Sequence, residues 1–285
     1  MRSKLFVPGA RPELFAKALA GDADALSFDL EDSVPEAGKE AARQAIAGFL
    51  TDPALAASSK CVIVRTNAPD SPHFAADLAA MAQPRVDLLN IPKLETAAQV
   101  QAIAAALEAA EQANGISRPI GLLLNVETPA GLRHAAELAA AHPRVAGLQL
   151  GLADLFAVNG VARTPANVHA ALFALKMAAA QAGVFAYDSA WPNVSDQDGF
   201  QTEAGLARDL GFLGKSCIHP KQVAWANAVF SVSEQRLDEA RRIVAAAAAA
   251  ETSGRGAFLF EGRMIDTPFL RQAQMLLAAD RSSTC

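Results

Sequence analysis

Eight short runs of branched and apolar residues recur along the chain, and longer, mostly helical-looking stretches rich in alanine separate most of them. The runs fall near residues 5–7, 25–29, 61–65, 88–91, 120–126, 145–150, 184–187 and 214–218. Helical patterns lie between them, at 12–20, 39–50, 97–114, 131–141, 168–182 and 200–210. Strands that alternate with helices imply a parallel sheet covered on its faces. Eight such strands in 285 residues predict an α/β fold of the closed (β/α)8 type, a TIM barrel. An open, doubly wound sheet is the alternative, but no run here is followed by the glycine-rich loop of its dinucleotide-binding form.

The barrel is expected over residues 1–220. After Pro220 the alternation stops. Helical stretches at 221–228 and 233–251, a turn at 253–256, a hairpin over 258–266 and a last helix at 268–279 predict a C-terminal extension over 221–285.

Composition narrows the function classes. At 52% hydrophobic and 19% charged, the chain can bury a sizeable core and is not expected to be disordered. A formal net charge of −5 argues against nucleic acid as the main partner, because phosphate binding needs a basic surface. The most apolar stretch, 243–250, is too short to cross a bilayer. The opening residues lack the layout of a signal peptide, so a cytoplasmic location without membrane contact is expected. The cysteines Cys61, Cys217 and Cys285 have no metal-like spacing.

In barrels of this kind the chemistry gathers at the carboxyl ends of the strands. Charged residues fall there repeatedly. The second run ends in Asp29-Leu30-Glu31-Asp32, the third in Arg65, the fourth is followed by Lys93, the fifth by Glu127 and the sixth by Gly151-Leu152-Ala153-Asp154. Each residue alone could be a helix cap or a solvated loop charge. Together they point to one rim.

Glu127 and Asp154 follow neighbouring strands. Two carboxylates with no partnered His or Cys suit a hard cation that keeps several waters, which is magnesium. The plain alternatives are a capping carboxylate for Glu127 and a turn residue for Asp154. Arg65 ends an apolar strand, where a guanidinium can grip a carboxylate through two parallel hydrogen bonds. It could instead serve a barrel-mouth ion pair with Asp29 or Glu31. Asp29, Glu31 and Asp32 are placed to orient Arg65 or water on a metal ion. His219 fits packing better than catalysis. Lys93 is a poor Schiff-base candidate among so many acids.

The motifs Arg2-Ser3-Lys4-Leu5-Phe6-Val7-Pro8-Gly9, Phe28-Asp29-Leu30-Glu31-Asp32-Ser33-Val34-Pro35 and Val64-Arg65-Thr66-Asn67 resemble the citrate lyase beta-subunit-like family of CoA ester lyases. So do Ile91-Pro92-Lys93, Val126-Glu127-Thr128, Gly151-Leu152-Ala153-Asp154-Leu155, the run from Gly211 to Gln222, and Glu261-Gly262-Arg263-Met264-Ile265-Asp266-Thr267-Pro268. The resemblance covers nearly the whole chain in order. It extends to the wider HpcH/HpaI aldolase and citrate lyase superfamily. It implies Mg2+ at Glu127 and Asp154, a substrate contact from Arg65, and a homotrimer or larger homo-oligomer such as a hexamer. It also implies that Asp266 of the extension reaches a neighbouring subunit's site as acid or base.

The implied reaction is reversible cleavage of a carboxylated 3-hydroxyacyl thioester, such as citryl-CoA or malyl-CoA, carried by CoA or an acyl-carrier protein. A thioesterase or an oxoacid aldolase on the same metal site, and a noncatalytic subunit of a larger complex, are the alternatives. Two departures from the family pattern stand out. Asn125 sits where an apolar residue is more usual, and Trp191 sits where smaller residues are common, so that a Trp191 on the rim would narrow the acyl pocket.

Overall fold

The structure, a computed structural model, describes residues 1–252 and 257–281. The turn expected at 253–256 lies outside them. The chain divides into two compact units, Met1–Phe230 and Ser231–Cys285.

The first unit carries eight strands: β1 (Ser3–Pro8), β2 (Ala25–Asp29), β3 (Cys61–Arg65), β4 (Leu88–Ile91), β5 (Gly121–Val126), β6 (Val145–Leu150), β7 (Phe185–Tyr187) and β8 (Lys215–Cys217). They pair in parallel in the order β7-β6-β5-β4-β3-β2-β1-β8. A parallel bridge between Asp188 and Lys215 joins the two ends of that order. The Asp188 amide donates to the Gly214 carbonyl at 3.0 Å, and the Ser216 amide to the Asp188 carbonyl at 3.1 Å. The sheet is thereby closed into the (β/α)8 barrel that the alternation predicts.

Strand alternation explains why these runs read as almost wholly apolar. Leu26 and Phe28, Val62 and Val64, Leu89 and Ile91, and Leu122 and Leu124 belong to the large core shared with the helices. The intervening residues point into the barrel. There Ala25, Cys61, Ile63, Leu88 and Leu123 form a separate small cluster. Further along each strand the inward row turns polar: Ser27 then Asp29 on β2, Arg65 on β3, Asn90 on β4, Asn125 on β5 and Gln149 on β6. In-register pairing sets Asp29 beside Arg65 and Asn125 beside Gln149.

The helices begin where local chemistry favours them. Thr96 and Gln99 form a reciprocal capping box at the start of Ala97–Ala113. Thr164 caps Pro165–Ala182, which ends at Gly183 in the left-handed conformation that glycine tolerates. The single helix expected over 131–141 is two, Pro129–Arg133 and Ala135–Ala140. The break is at His134, whose Nδ1 is 2.9 Å from the carbonyl oxygen of Glu95. The helix Pro220–Phe230 belongs to this first unit.

A buried ion network lies beside the closing bridge. Lys215 Nζ lies 2.6 Å from Asp188 and 2.7 Å from Glu203, and Arg163 also grips Glu203, at 2.6 Å. Buried charges persist in such a place only when each is paired. Burial pushes the Asp188 carboxyl up to about 6, against the opposing pull of Lys215.

The second unit contains the helix Glu234–Thr252, a hairpin of β9 (Phe258–Phe260) and β10 (Arg263–Ile265), and the helix Thr267–Arg281. The hairpin turn holds Glu261 at φ 49° and Gly262 at φ 80°, the two positive values that a tight antiparallel turn needs. Ala240, Ile243, Ile265 and Ala273 form its small core. Among the described residues, no helix is long and apolar enough to cross a membrane.

Candidate active site

At the carboxyl ends of the strands lies a cavity of about 420 Å3. Asp29, Asp32 and Arg65 line one part of it, and Glu127, Gly151 and Asp154 another. Five of the seven charged rim residues read from the sequence in the first unit thus share one cavity. The other two, Glu31 and Lys93, do not line it; Glu31 forms ion pairs with both Arg65 and Lys93.

Arg65 is held by three carboxylates at once. Its Nε and one terminal nitrogen meet the two oxygens of Asp29 at 2.6 and 2.9 Å. The other terminal nitrogen lies 2.9 Å from Glu31 and 3.1 Å from Asp32. The anticipated barrel-mouth ion pair therefore exists, and it coexists with exposure of Arg65 to the cavity. Three of these contacts are hydrogen bonds, two to Asp29 and one to Asp32, whereas Glu31 pairs with Arg65 by charge, so two of the five guanidinium hydrogens stay unbonded. Asp29 is fixed in turn by the amides of Glu31 and Ser33, at 3.0 and 3.1 Å. Lys39 secures the same loop by donating to the carbonyls of Leu30 and Glu31, both at 2.7 Å. Burial works against the charge of Asp29, but Arg65 outweighs it and holds the carboxyl below the usual range.

Glu127 is buried on the facing side. Its Oε1 accepts the Lys93 amide at 2.9 Å, and its Oε2 accepts Asn125 Nδ2 at 2.5 Å. Lys93 presents that amide from a positive φ of 56°, a strained conformation for a side-chain-bearing residue. Gly151 makes room for the carboxylate: a Cβ there would lie 2.6 Å from Glu127 Cβ and 2.7 Å from Oε2. Asp154 is exposed, in the first turn of the short helix Leu152–Ala157.

Burial pushes the Glu127 carboxyl up to about 7, helped by Glu31 and Asp154 and opposed by Arg65 and the Lys93 amide. A buried acid crowded by other acids is relieved by a bound cation. Among the described residues, no three His, Cys, Asp or Glu side chains are grouped to enclose an ion. Two carboxylates that leave most positions to water and substrate oxygens are the donor set Mg2+ accepts. The residues present therefore fit that ion.

The remaining expectations divide. Lys93 Nζ pairs with Glu31 at 3.0 Å. Burial lowers its pKa, but Glu31 outweighs it and raises the ammonium above its ordinary value, the opposite of what an imine-forming amine requires. His219 accepts the Lys221 amide at 3.2 Å, a local helix-start contact. Trp191 does not line the cavity. Its ring lies 5.0 Å from the Arg163 guanidinium carbon and fills space that Gly199 leaves open, so it does not narrow an acyl pocket there. Asp266 lies in the second unit, between β10 and the helix that follows, with its carbonyl accepting the Leu270 amide at 3.0 Å. Gln149 and Lys4 went unread in the sequence. The signal they carry is a polar residue at an inward position of an otherwise apolar strand.

Residues 2–220 match the model of the HpcH/HpaI aldolase/citrate lyase family. The chain belongs to that family. It is 37% identical to an L-malyl-CoA/beta-methylmalyl-CoA lyase of Cereibacter sphaeroides, over 97% of this chain and 93% of that one. It is 33% identical to a citrate lyase subunit beta of Leuconostoc mesenteroides subsp. cremoris, over 97% and 92%. Among solved structures it is similar to the CitE protein of Mycobacterium tuberculosis in complex with magnesium, acetoacetate and coenzyme A. That likeness has a TM-score of 0.76, with 35% identity, and covers 99% of this chain and 100% of the other. The family model ends at the barrel, whereas the full-length relatives extend through the second unit.

Proposed function

We propose that the protein is a Mg2+-dependent carbon–carbon lyase that reversibly splits a carboxylated 3-hydroxyacyl-CoA into an oxoacid and a shorter acyl-CoA. The observation that carries this reading is the convergence of Arg65, Glu127 and Asp154 on one cavity. Kinship with malyl-CoA lyases and citrate lyase beta subunits supports the reaction class, and a magnesium- and CoA-bound relative supports the cofactor and the carrier.

Glu127 and Asp154 would hold the ion. When bound, Mg2+ would supply Lewis-acid polarisation and a fixed template for the oxoacid half. Arg65 would bind the carboxylate of that half with a guanidinium hydrogen that Asp29 and Asp32 leave unbonded. It could add a second bond by exchanging Asp32, its most exposed partner. Asp29 and Glu31 would keep the guanidinium aimed during this exchange. The 3-hydroxyl would release its proton to solvent and become the oxoacid carbonyl as the carbon–carbon bond breaks, and the electron pair of that bond would pass to the α-carbon of the acyl thioester as an enolate, which needs electrostatic stabilisation and then a proton. Asp266 of a neighbouring subunit would deliver that proton, and would remove it in the condensation direction. This role requires a neighbouring subunit, and we propose a homotrimer or hexamer, working in the cytoplasm.

Asp266→Asn is expected to bind Mg2+ and substrate as the parent does and to lose about 10²- to 10⁴-fold in kcat, the usual share of a positioned proton donor. Steady-state kinetics beside Mg2+ titration checks it, and full activity in the variant would remove Asp266 from the mechanism.

The function itself is tested with L-malyl-CoA, β-methylmalyl-CoA and citryl-CoA, following oxoacid and free thiol separately. Oxoacid without free thiol is expected. Free thiol without oxoacid would make the protein a thioesterase instead. No turnover of any substrate would count against the lyase reading.

A further inference from the structure

A line of buried polar side chains runs across the barrel interior to Glu127. Lys4 Nζ donates to Gln149 Oε1. Gln149 Nε2 donates to Asn125 Oδ1 at 2.7 Å. Asn125 Nδ2 donates to Glu127 Oε2 at 2.5 Å. All four residues are buried. Around Lys4 stand the rings of Phe6, 4.3 Å from Nζ, and Tyr187, at 5.6 Å.

The direction of the line is fixed by chemistry. Burial pushes the Lys4 amine well below its ordinary pKa, so the direction is set from the other end. The ionised Glu127 can only accept and takes Asn125 Nδ2, which leaves the Asn125 oxygen to Gln149 Nε2 and the Gln149 oxygen to the Lys4 amine. Reversing either amide would set donor against donor and acceptor against acceptor. The line therefore delivers an N–H to one particular oxygen of Glu127. The Lys93 amide takes the other oxygen. With both oxygens claimed and Gly151 against its Cβ, the carboxylate is held from three sides. Leu or Ile at these inward positions would pack a barrel centre at less cost than three polar side chains.

We propose that Lys4, Gln149 and Asn125 are positioning residues that fix the Glu127 carboxylate in the orientation it needs to bind the metal ion. This rests on the reading of Glu127 as a metal ligand. Groups that orient a ligand carboxylate without touching the ion typically change metal affinity about 10- to 100-fold when removed.

The test is Mg2+ titration calorimetry, with thermal unfolding of each variant in parallel. Asn125→Leu removes the donor to Glu127 and is expected to raise the Mg2+ Kd about 10- to 100-fold in a folded protein. Lys4→Met with Gln149→Leu removes the rest of the line without stranding a charge, and is expected to raise the Kd in the same direction. Combining all three changes should leave the Kd within about twofold of Asn125→Leu, because the outer members act only through Asn125. A purely structural network would lower the melting temperature and leave the Kd alone, and that result would overturn the proposal. Should Asn125→Leu not fold, the Lys4→Met/Gln149→Leu protein decides, and a Kd equal to the parent's overturns the proposal. Glu127→Gln is the reference. If it too binds Mg2+ like the parent, the metal-ligand reading itself has failed. If it loses Mg2+ while folded Asn125→Leu keeps it, only the positioning role has failed.

Discussion

Mg2+ affinity is expected to rise about tenfold per pH unit below pH 7 and to level off above it, and Glu127→Gln is expected to abolish it. The Glu127 carboxyl sits at about 7 because it is buried beside Glu31 and Asp154, while Arg65 and the Lys93 amide only partly compensate. Below that pH the ion must displace a proton. The same shift tilts stability. The folded-state pKa is raised above the ordinary value of 4.5, so the folded protein binds more protons than the unfolded chain between the two. Metal-free stability should therefore fall as pH climbs from about 4.5 to about 7, by something on the order of 3 kcal/mol from this group. Glu127→Gln should lose that part of the slope. Its stability should not rise by the full amount, because the new amide nitrogen must face either the Lys93 amide or Asn125 Nδ2. Loss of the ion should lower kcat/KM about a thousandfold or more. Chemical unfolding at several pH values, beside Mg2+ titration, checks both halves. A variant that keeps parental Mg2+ binding would contradict the assignment.

Arg65→Met should be the most destabilising single change at the rim. It would strand Asp29, buried and 2.6 Å from the lost Nε, and leave Glu31 without a principal partner. Breaking a buried pair from one side costs about 3–5 kcal/mol. Arg65→Lys separates the structural part from the catalytic part. An ammonium can stay near Asp29, so most of the stability should return. It cannot bind Asp29 with two parallel hydrogen bonds and still face the cavity, so kcat/KM should remain about 10²- to 10³-fold down. Denaturant unfolding and steady-state kinetics on both variants check this. Parental activity in Arg65→Lys would deny the substrate contact.

The barrel was legible because both rows of each parallel strand are buried, so strands appear as short apolar runs against the longer period of the helices. Ala25–Asp29, Cys61–Arg65, Leu88–Ile91 and Val145–Leu150 coincide with the predicted runs. Arg65, Glu127 and Asp154 were legible because each ends or follows such a run, on the side where the carboxyl ends converge. Short helices were harder. Phe74–Met81 and Leu152–Ala157 span too few residues for a 3.6-residue period to declare itself. The break at His134 depends on a bond to Glu95, far away in sequence. The line from Lys4 to Glu127 was illegible for a related reason. Asn125 shows in the sequence as an oddity, but its partner Gln149 lies on β6 and Gln149's own partner Lys4 on β1 across the barrel, and only closure brings them together.

The most direct test of the central claim is oxoacid release from L-malyl-CoA by the metal-stripped protein, before and after Mg2+ is restored. Glyoxylate and acetyl-CoA should appear in equal amounts, only with Mg2+ present, and stop when EDTA is added. Glyoxylate released at the same rate in EDTA, or free CoA and malate in place of glyoxylate, would contradict the account.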